Sequence, residues 1–183
     1  MLQIRIHARG GQGGKSLAQI IAETSLGLGN FIQAFPEYGP ERSGAPTRSF
    51  VRIDDKKIKT HEPIVEPDIV IVMDETLLSD SSSLDGLTRA GILIVNTEKS
   101  KETIKEKINF DGQIYIIPAT KIAYSTIGSD KPGTAIAGAL CRFTKLITIE
   151  SLKKDMEEKF SKKGEDIINA NQKAIEIGFN SLS

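Results

Sequence analysis

The residues best placed for chemistry cluster near the N-terminus, in Gly10-Gly11-Gln12-Gly13-Gly14-Lys15-Ser16. Glycine lets backbone N–H groups approach an anion closely, and a helix that starts there adds the positive end of its dipole. Four glycines in five residues also exceed what a tight turn needs for geometry alone. Two nucleotide-binding patterns compete with that plain turn. Gly14-Lys15-Ser16 has the ending of a triphosphate-binding P-loop, and Val70-Ile71-Val72-Met73-Asp74-Glu75 has the form of a strand that ends on magnesium-holding carboxylates. That pattern needs a glycine where Arg9 stands, and starting from Gly10 leaves three intervening residues instead of four. Gly11-Gln12-Gly13 supplies two glycines of a dinucleotide fingerprint. Its third position is Ser16, and Glu37, the candidate for holding a ribose, lies a little far along and in a proline-rich loop instead of at a strand end.

The elements around this cluster predict an α/β domain. Gln3–Ala8 reads as a strand and Lys15–Leu26 as a helix with Leu17, Ile20, Ile21, Thr24 and Leu28 on one face. Asn30–Pro36 reads as a second strand. Glu37-Tyr38-Gly39-Pro40-Glu41-Arg42-Ser43-Gly44-Ala45-Pro46 then has too much proline and glycine for a regular element. Thr47–Ile53 and Lys57–Thr60, flanking Asp54-Asp55, predict a hairpin. Ile69–Met73, Ile92–Val95 and Ile114–Ile117 are continuous apolar runs, the pattern of strands buried on both faces. Apolar faces at helical spacing follow, including Ala135, Ile136, Ala139, Leu140 and Phe143, then Leu152, Met156 and Phe160, then Ile167 to Ile175. The expectation is one Rossmann-like, doubly wound α/β domain over residues 1–183. Its sheet is largely parallel, with a hairpin, helices on both faces and further helices at the C-terminus.

Composition narrows the function. Twenty-four basic residues balance 24 acidic ones, which argues against a nucleic-acid binder. The N-terminus lacks the apolar core of a signal peptide, and no run approaches the roughly 20 apolar residues of a membrane span. A cytoplasmic protein is the expectation. Cys141 is the single cysteine and His7 and His61 are the only histidines, too few ligands for an iron–sulfur cluster or a structural zinc. Cys141, among Ala139, Leu140 and Phe143, reads as a buried apolar thiol, and His7 as a member of an alternating strand. Asp74 ends a buried strand, a place where such folds hold ligands and where aspartate equally caps helices.

One resemblance covers nearly the whole chain. Arg9-Gly10-Gly11-Gln12-Gly13, Gln33-Ala34-Phe35-Pro36-Glu37-Tyr38-Gly39-Pro40-Glu41-Arg42 and Gly44-Ala45-Pro46 together resemble the gamma subunits of 2-oxoacid:ferredoxin oxidoreductases. The match is closer to the pyruvate and 2-oxoisovalerate members and extends to Glu66-Pro67-Asp68, Asn171, Ala174 and Gly178. The chain departs at Ala8, where the family often has glycine, and at Ser43, where it usually has a second arginine. The resemblance implies a subunit inactive alone, without catalytic or metal-ligating residues of its own. Thiamine diphosphate, magnesium and iron–sulfur clusters would reside on alpha-, beta- and delta-type partners that pass electrons to ferredoxin or flavodoxin. Coenzyme A would enter as substrate, its phosphates received by Gly10, Gly11, Gln12, Gly13 and Arg42. Arg9, Tyr38, Gly39, Pro40, Glu41 and Gly44 would line the shared active site or a subunit interface.

Overall fold

The computed structural model describes residues 1–37 and 43–182. Six strands form one sheet: β1 (Leu2–Arg9), β2 (Phe31–Pro36), β3 (Pro46–Asp54), β4 (Ile69–Val72), β5 (Ile92–Asn96) and β6 (Gln113–Ile117). Their order is β2-β3-β1-β4-β5-β6. β1, β4, β5 and β6 run parallel, while β3 lies antiparallel between β1 and β2. From β1 the chain passes through α1 (Gly14–Gly27) to the β2 side of the sheet, and β4 later takes up the opposite side of β1. The strand order therefore reverses at the C-terminal ends of β1 and β4, the position where open α/β sheets form a ligand crevice.

The three apolar runs are β4 to β6, and their central residues are sealed: Val70, Ile71, Leu93, Ile94 and Ile114 are all 0% exposed. Helices gather on one face. There α1 packs with α3 (Ala119–Thr126), α4 (Gly133–Leu140), α5 (Ile149–Phe160) and α6 (Glu165–Asn180) over Ile4, Ile6, Ala8, Ile71 and Ile94. The opposite face is thinner than the expected layer of helices. Over β4–β6 it carries two 3₁₀ turns (Glu75–Ser79 and Ser81–Leu84), the short α2 (Lys101–Lys105) and Phe110.

The predicted hairpin is misplaced. Lys57–Thr60 forms no strand, and β3 pairs instead with β2 and with β1. The physical reason is that Lys57 and Lys59 offer the sheet little apolar surface, whereas β2 brings Phe35 to within 5.2 Å of the Phe50 ring. In α1, Leu17, Ile20, Ile21 and Thr24 are buried as their spacing predicts. Leu28 lies beyond the helix end, capping it, and is 46% exposed.

Behind β1–β3 the second layer is a polar one, fastened by two buried arginines. Arg5 donates to the carbonyls of Ile64, Ser83 and Asp85, and through Nε to His7 Nε2 at 3.0 Å. Arg52 donates to Gln3, to Gln33 and to the Glu62 carbonyl. Arg5 thus has four acceptors and Arg52 three, with every guanidinium nitrogen engaged, which offsets the cost of burying the charge. Arginine only donates, so His7 must accept at Nε2 and carry its proton on Nδ1. Burial, then the charges of Arg5 and Arg48, push the His7 imidazole down from 6.5 to about 3. The unfolded chain therefore binds a proton that the folded one refuses between those values. Stability should be full above about pH 6.5 and fall as pH drops toward 3. Thermal unfolding followed by circular dichroism should show that loss flattened in His7→Gln; an unchanged profile would assign the acid sensitivity to other groups.

Candidate functional site

The glycine turn closes β1 with two residues in left-handed geometry, Gly11 (φ 94°) and Gly13 (φ 87°). Gln12 fastens it: its N–H donates to the Arg9 carbonyl, while its side-chain oxygen accepts from the Arg9 N–H at 2.8 Å. α1 begins immediately afterwards. It sits so close to β1 that a Cβ at Gly14 would fall 2.9 Å from the Ala8 Cβ. That contact ties the small residue Ala8 to the glycine opposite it.

Asp74, two residues beyond β4, organises the turn from across the strand-order reversal. One carboxylate oxygen accepts from the Gln12 amide at 2.8 Å and pairs with Arg9 Nε at 3.2 Å. The other accepts from the Thr76 N–H and hydroxyl, capping the first 3₁₀ turn. Arg9 completes the junction by donating to the Thr76 hydroxyl and to the Gly44 carbonyl. Burial raises the Asp74 pKa, but Thr76, Gln12 and Arg9 outweigh it and hold the carboxyl below its ordinary value. Asp74→Ala removes the shared acceptor of all three groups and should cost about 2 kcal/mol, near the value for losing a charged hydrogen-bond centre. Urea unfolding measures this; a loss below about 0.5 kcal/mol would show that water replaces the carboxylate without penalty.

The structure brings Arg9, Gly10, Gly11, Gln12, Gly13 and Gly44 together, as the sequence-based expectation grouped them, but divides their tasks differently. The Gly10 N–H is engaged by the Ala45 carbonyl at 2.8 Å, and the Gly44 N–H by the Gly10 carbonyl at 3.1 Å. The Gln12 amide is engaged by Asp74. Gly10 therefore has no open donor, and Gln12 braces the turn through one of its two amide N–H groups. The donors without an acceptor among the described residues are the N–H groups of Gly11, Gly13, Gly14, Lys15 and Ser16, the first inside the turn and the others at the start of α1. Such a row of N–H groups at a helix start can hold a phosphate or carboxylate. Tyr38, Gly39, Pro40, Glu41 and Arg42 lie outside the described residues.

Of the two readings open for Asp74, the cap is the one seen, while Thr76, its partner, carried no signal in the sequence. Two rival patterns lose their support. The carboxylate that would serve magnesium is occupied by Arg9 and Gln12. Glu37, the candidate ribose ligand, is paired with both Nε and Nη2 of Arg48. Cys141 is half-buried, and burial followed by the charge of Glu150 pushes its thiol up to about 12, so it is no nucleophile. Among the described residues no cluster of metal-ligating side chains forms, and no helix is long and apolar enough to cross a membrane.

Comparison with known proteins identifies the family. The family profile described as pyruvate ferredoxin/flavodoxin oxidoreductase matches residues 3–181. Pyruvate synthase subunit PorC of Thermotoga maritima is 44% identical over 181 residues, covering 98% of this chain and 94% of that one. The common gamma subunit of the pyruvate and ketoisovalerate oxidoreductases of Thermococcus kodakarensis is also 44% identical, covering 98% and 96%. The crystal structure of the Thermotoga maritima pyruvate oxidoreductase subunit PORC superposes with a TM-score of 0.89 at 41% identity, covering 100% of this chain and 97% of that one. With the family profile spanning almost every residue and relatives aligned end to end, the chain belongs to the pyruvate ferredoxin/flavodoxin oxidoreductase family.

Proposed function

We propose that this chain is the gamma subunit of a pyruvate:ferredoxin oxidoreductase, acting as one α/β domain in a cytoplasmic complex. The complex converts a 2-oxoacid, coenzyme A and oxidised ferredoxin to acyl-coenzyme A, carbon dioxide and reduced ferredoxin. The carrying observation is end-to-end similarity to gamma subunits of pyruvate oxidoreductases. Thiamine diphosphate, magnesium and iron–sulfur clusters belong on the alpha-, beta- and delta-type partners and supply decarboxylation and electron transfer there.

This chain's own contribution is to bind and orient. The N–H groups of Gly11, Gly13, Gly14, Lys15 and Ser16 receive a phosphate of coenzyme A, with Arg42 as a second contact through its planar fork. Asp74, Gln12 and Arg9 hold the turn so that these donors need no rearrangement when the anion arrives. The family resemblance assigns Tyr38, Gly39, Pro40, Glu41 and Gly44 to the shared active site or a subunit interface. A stand-alone nucleotide-binding protein gains no support from the geometry, because Asp74 and Glu37 are both engaged.

A native pull-down of the chain tests this reading. Partners bearing thiamine diphosphate and a brown cluster absorbance should elute with it. A colourless eluate holding this chain alone, from cells that express those partners, would overturn the reading.

A further inference from the structure

On the sheet face opposite α1 lies a cavity of about 560 Å³ that the proposed function does not use. It opens between β1, β3 and the two 3₁₀ turns; His7, Arg48, Glu37 and Asp80 are among its lining residues. Its volume falls in the usual range for small-molecule sites, and a single side chain would not fill it.

Two features make it a built site. His7 is 6% exposed, and its Nε2 is occupied by Arg5, so the proton sits on Nδ1. That N–H has no acceptor among the described residues, and no fully buried side-chain nitrogen or oxygen lacks a partner. Nδ1 is thus a donor without a described acceptor on a residue that lines the cavity. Arg48 is the residue paired with His7 on the neighbouring strand. Its Nε and Nη2 go to Glu37, leaving Nη1 without an acceptor among the described residues. Side chains of directly paired residues stand about 5 Å apart at Cβ, close enough for two donors to reach the two oxygens of one planar group.

We infer that this cavity binds a small free monocarboxylate, held by His7 Nδ1–H and Arg48 Nη1. The rim selects the charge. Glu37 and Asp80 line the same cavity, so a dianion such as phosphate meets two carboxylates where a monoanion is balanced by the Arg48 charge. The neutral state of His7 keeps its role as a fixed donor unchanged across physiological pH. This inference stands apart from the coenzyme A reading, because no residue of the glycine turn except Arg9 borders the cavity.

The full chain contains two histidines, so a long-range proton–nitrogen correlation spectrum reports His7 with His61 as an internal control. Acetate and pyruvate should shift the His7 ring signals saturably, with a Kd of about 1 mM, and leave His61 unmoved. Arg48→Gln should weaken this about tenfold, whereas Glu37→Gln, which frees Arg48 and removes a rim charge, should tighten it. Arg48 is half-exposed, so its variant should fold. A His7 signal that does not move, equal shifts at His61, tighter binding of inorganic phosphate, or indifference to both substitutions would each overturn the assignment. Equilibrium dialysis of labelled acetate against the assembled oxidoreductase separates the sources. Retained binding supports a free ligand, and loss on assembly would assign the cavity to a partner's acidic side chain and overturn it.

Discussion

Gly178→Ala is expected to lower stability by about 3 kcal/mol, the upper end for overpacking a closed interface. α4 is buried along nearly its whole length, and it meets α6 through backbone. A Cβ at Gly178 would stand 2.0 Å from the Ala135 carbonyl oxygen, and one at Gly138 would stand 2.2 Å from that of Ile175. The contact is reciprocal and both obstructing atoms are main chain, so no rotamer change relieves it. The helices are also keyed by the Thr134 hydroxyl on Asn171, whose amide in turn donates to the Ile167 carbonyl. Separating them to admit a methyl would break that link and open the core around Ile136 and Leu140. Each kcal/mol shifts Tm by about 2–4 °C in a chain of this size, so a fall of about 6–12 °C should appear in a thermal scan. Gly27→Ala is the control, because nothing lies within 4 Å of its added Cβ at the end of α1. Equal, small effects at both sites would show that the two helices yield more easily than their geometry implies.

The second large effect concerns the glycine turn. Gly11→Val should raise the coenzyme A KM of the assembled oxidoreductase by about 10- to 100-fold, the loss of roughly 1.4–3 kcal/mol of anion binding. Gly11 holds φ 94°, a region that a β-branched residue adopts only with strain. Its added Cβ meets nothing within 4 Å, so the substitution disturbs the turn without crowding the core. The N–H that should point to the ligand then turns away, while the thiamine diphosphate content, held by partner chains, should stay constant. Gly29→Val imposes the same conformational conflict at φ 86° in the loop after α1 and should leave the KM unchanged. A Gly11 variant that loses thiamine diphosphate together with activity, at unchanged KM, would mean that the turn is purely architectural.

Much of the scaffold was legible because it rests on local periodicity. The apolar runs became β4 to β6, and the spacing of Leu17, Ile20 and Ile21 gave the buried face of α1. What failed were choices decided at long range. Whether β3 pairs with Lys57–Thr60 or with Phe31–Pro36 depends on where Phe35 can meet Phe50. The division of labour in the glycine turn was hidden for the same reason. Gln12 looks like an open amide until Asp74, 62 residues away, arrives to accept from it. Gly10 looks like a donor until Ala45 closes over it. The reach of α4 toward α6 depends on two glycines that periodicity treats as neutral. The polar layer of Arg5, Arg52 and His7 was equally invisible, because single charged residues in a strand carry no mark of the carbonyls that will receive them.

The most direct test is reconstitution of the oxidoreductase from its purified chains, with and without this one, followed by pyruvate-driven reduction of a viologen dye. With the chain present, reduction should depend on coenzyme A and acyl-coenzyme A should accumulate. Without it, coenzyme A-dependent turnover should disappear, and adding the chain back should restore it. Full coenzyme A-dependent activity from the remaining subunits would contradict the assignment of this chain as the gamma subunit that receives coenzyme A.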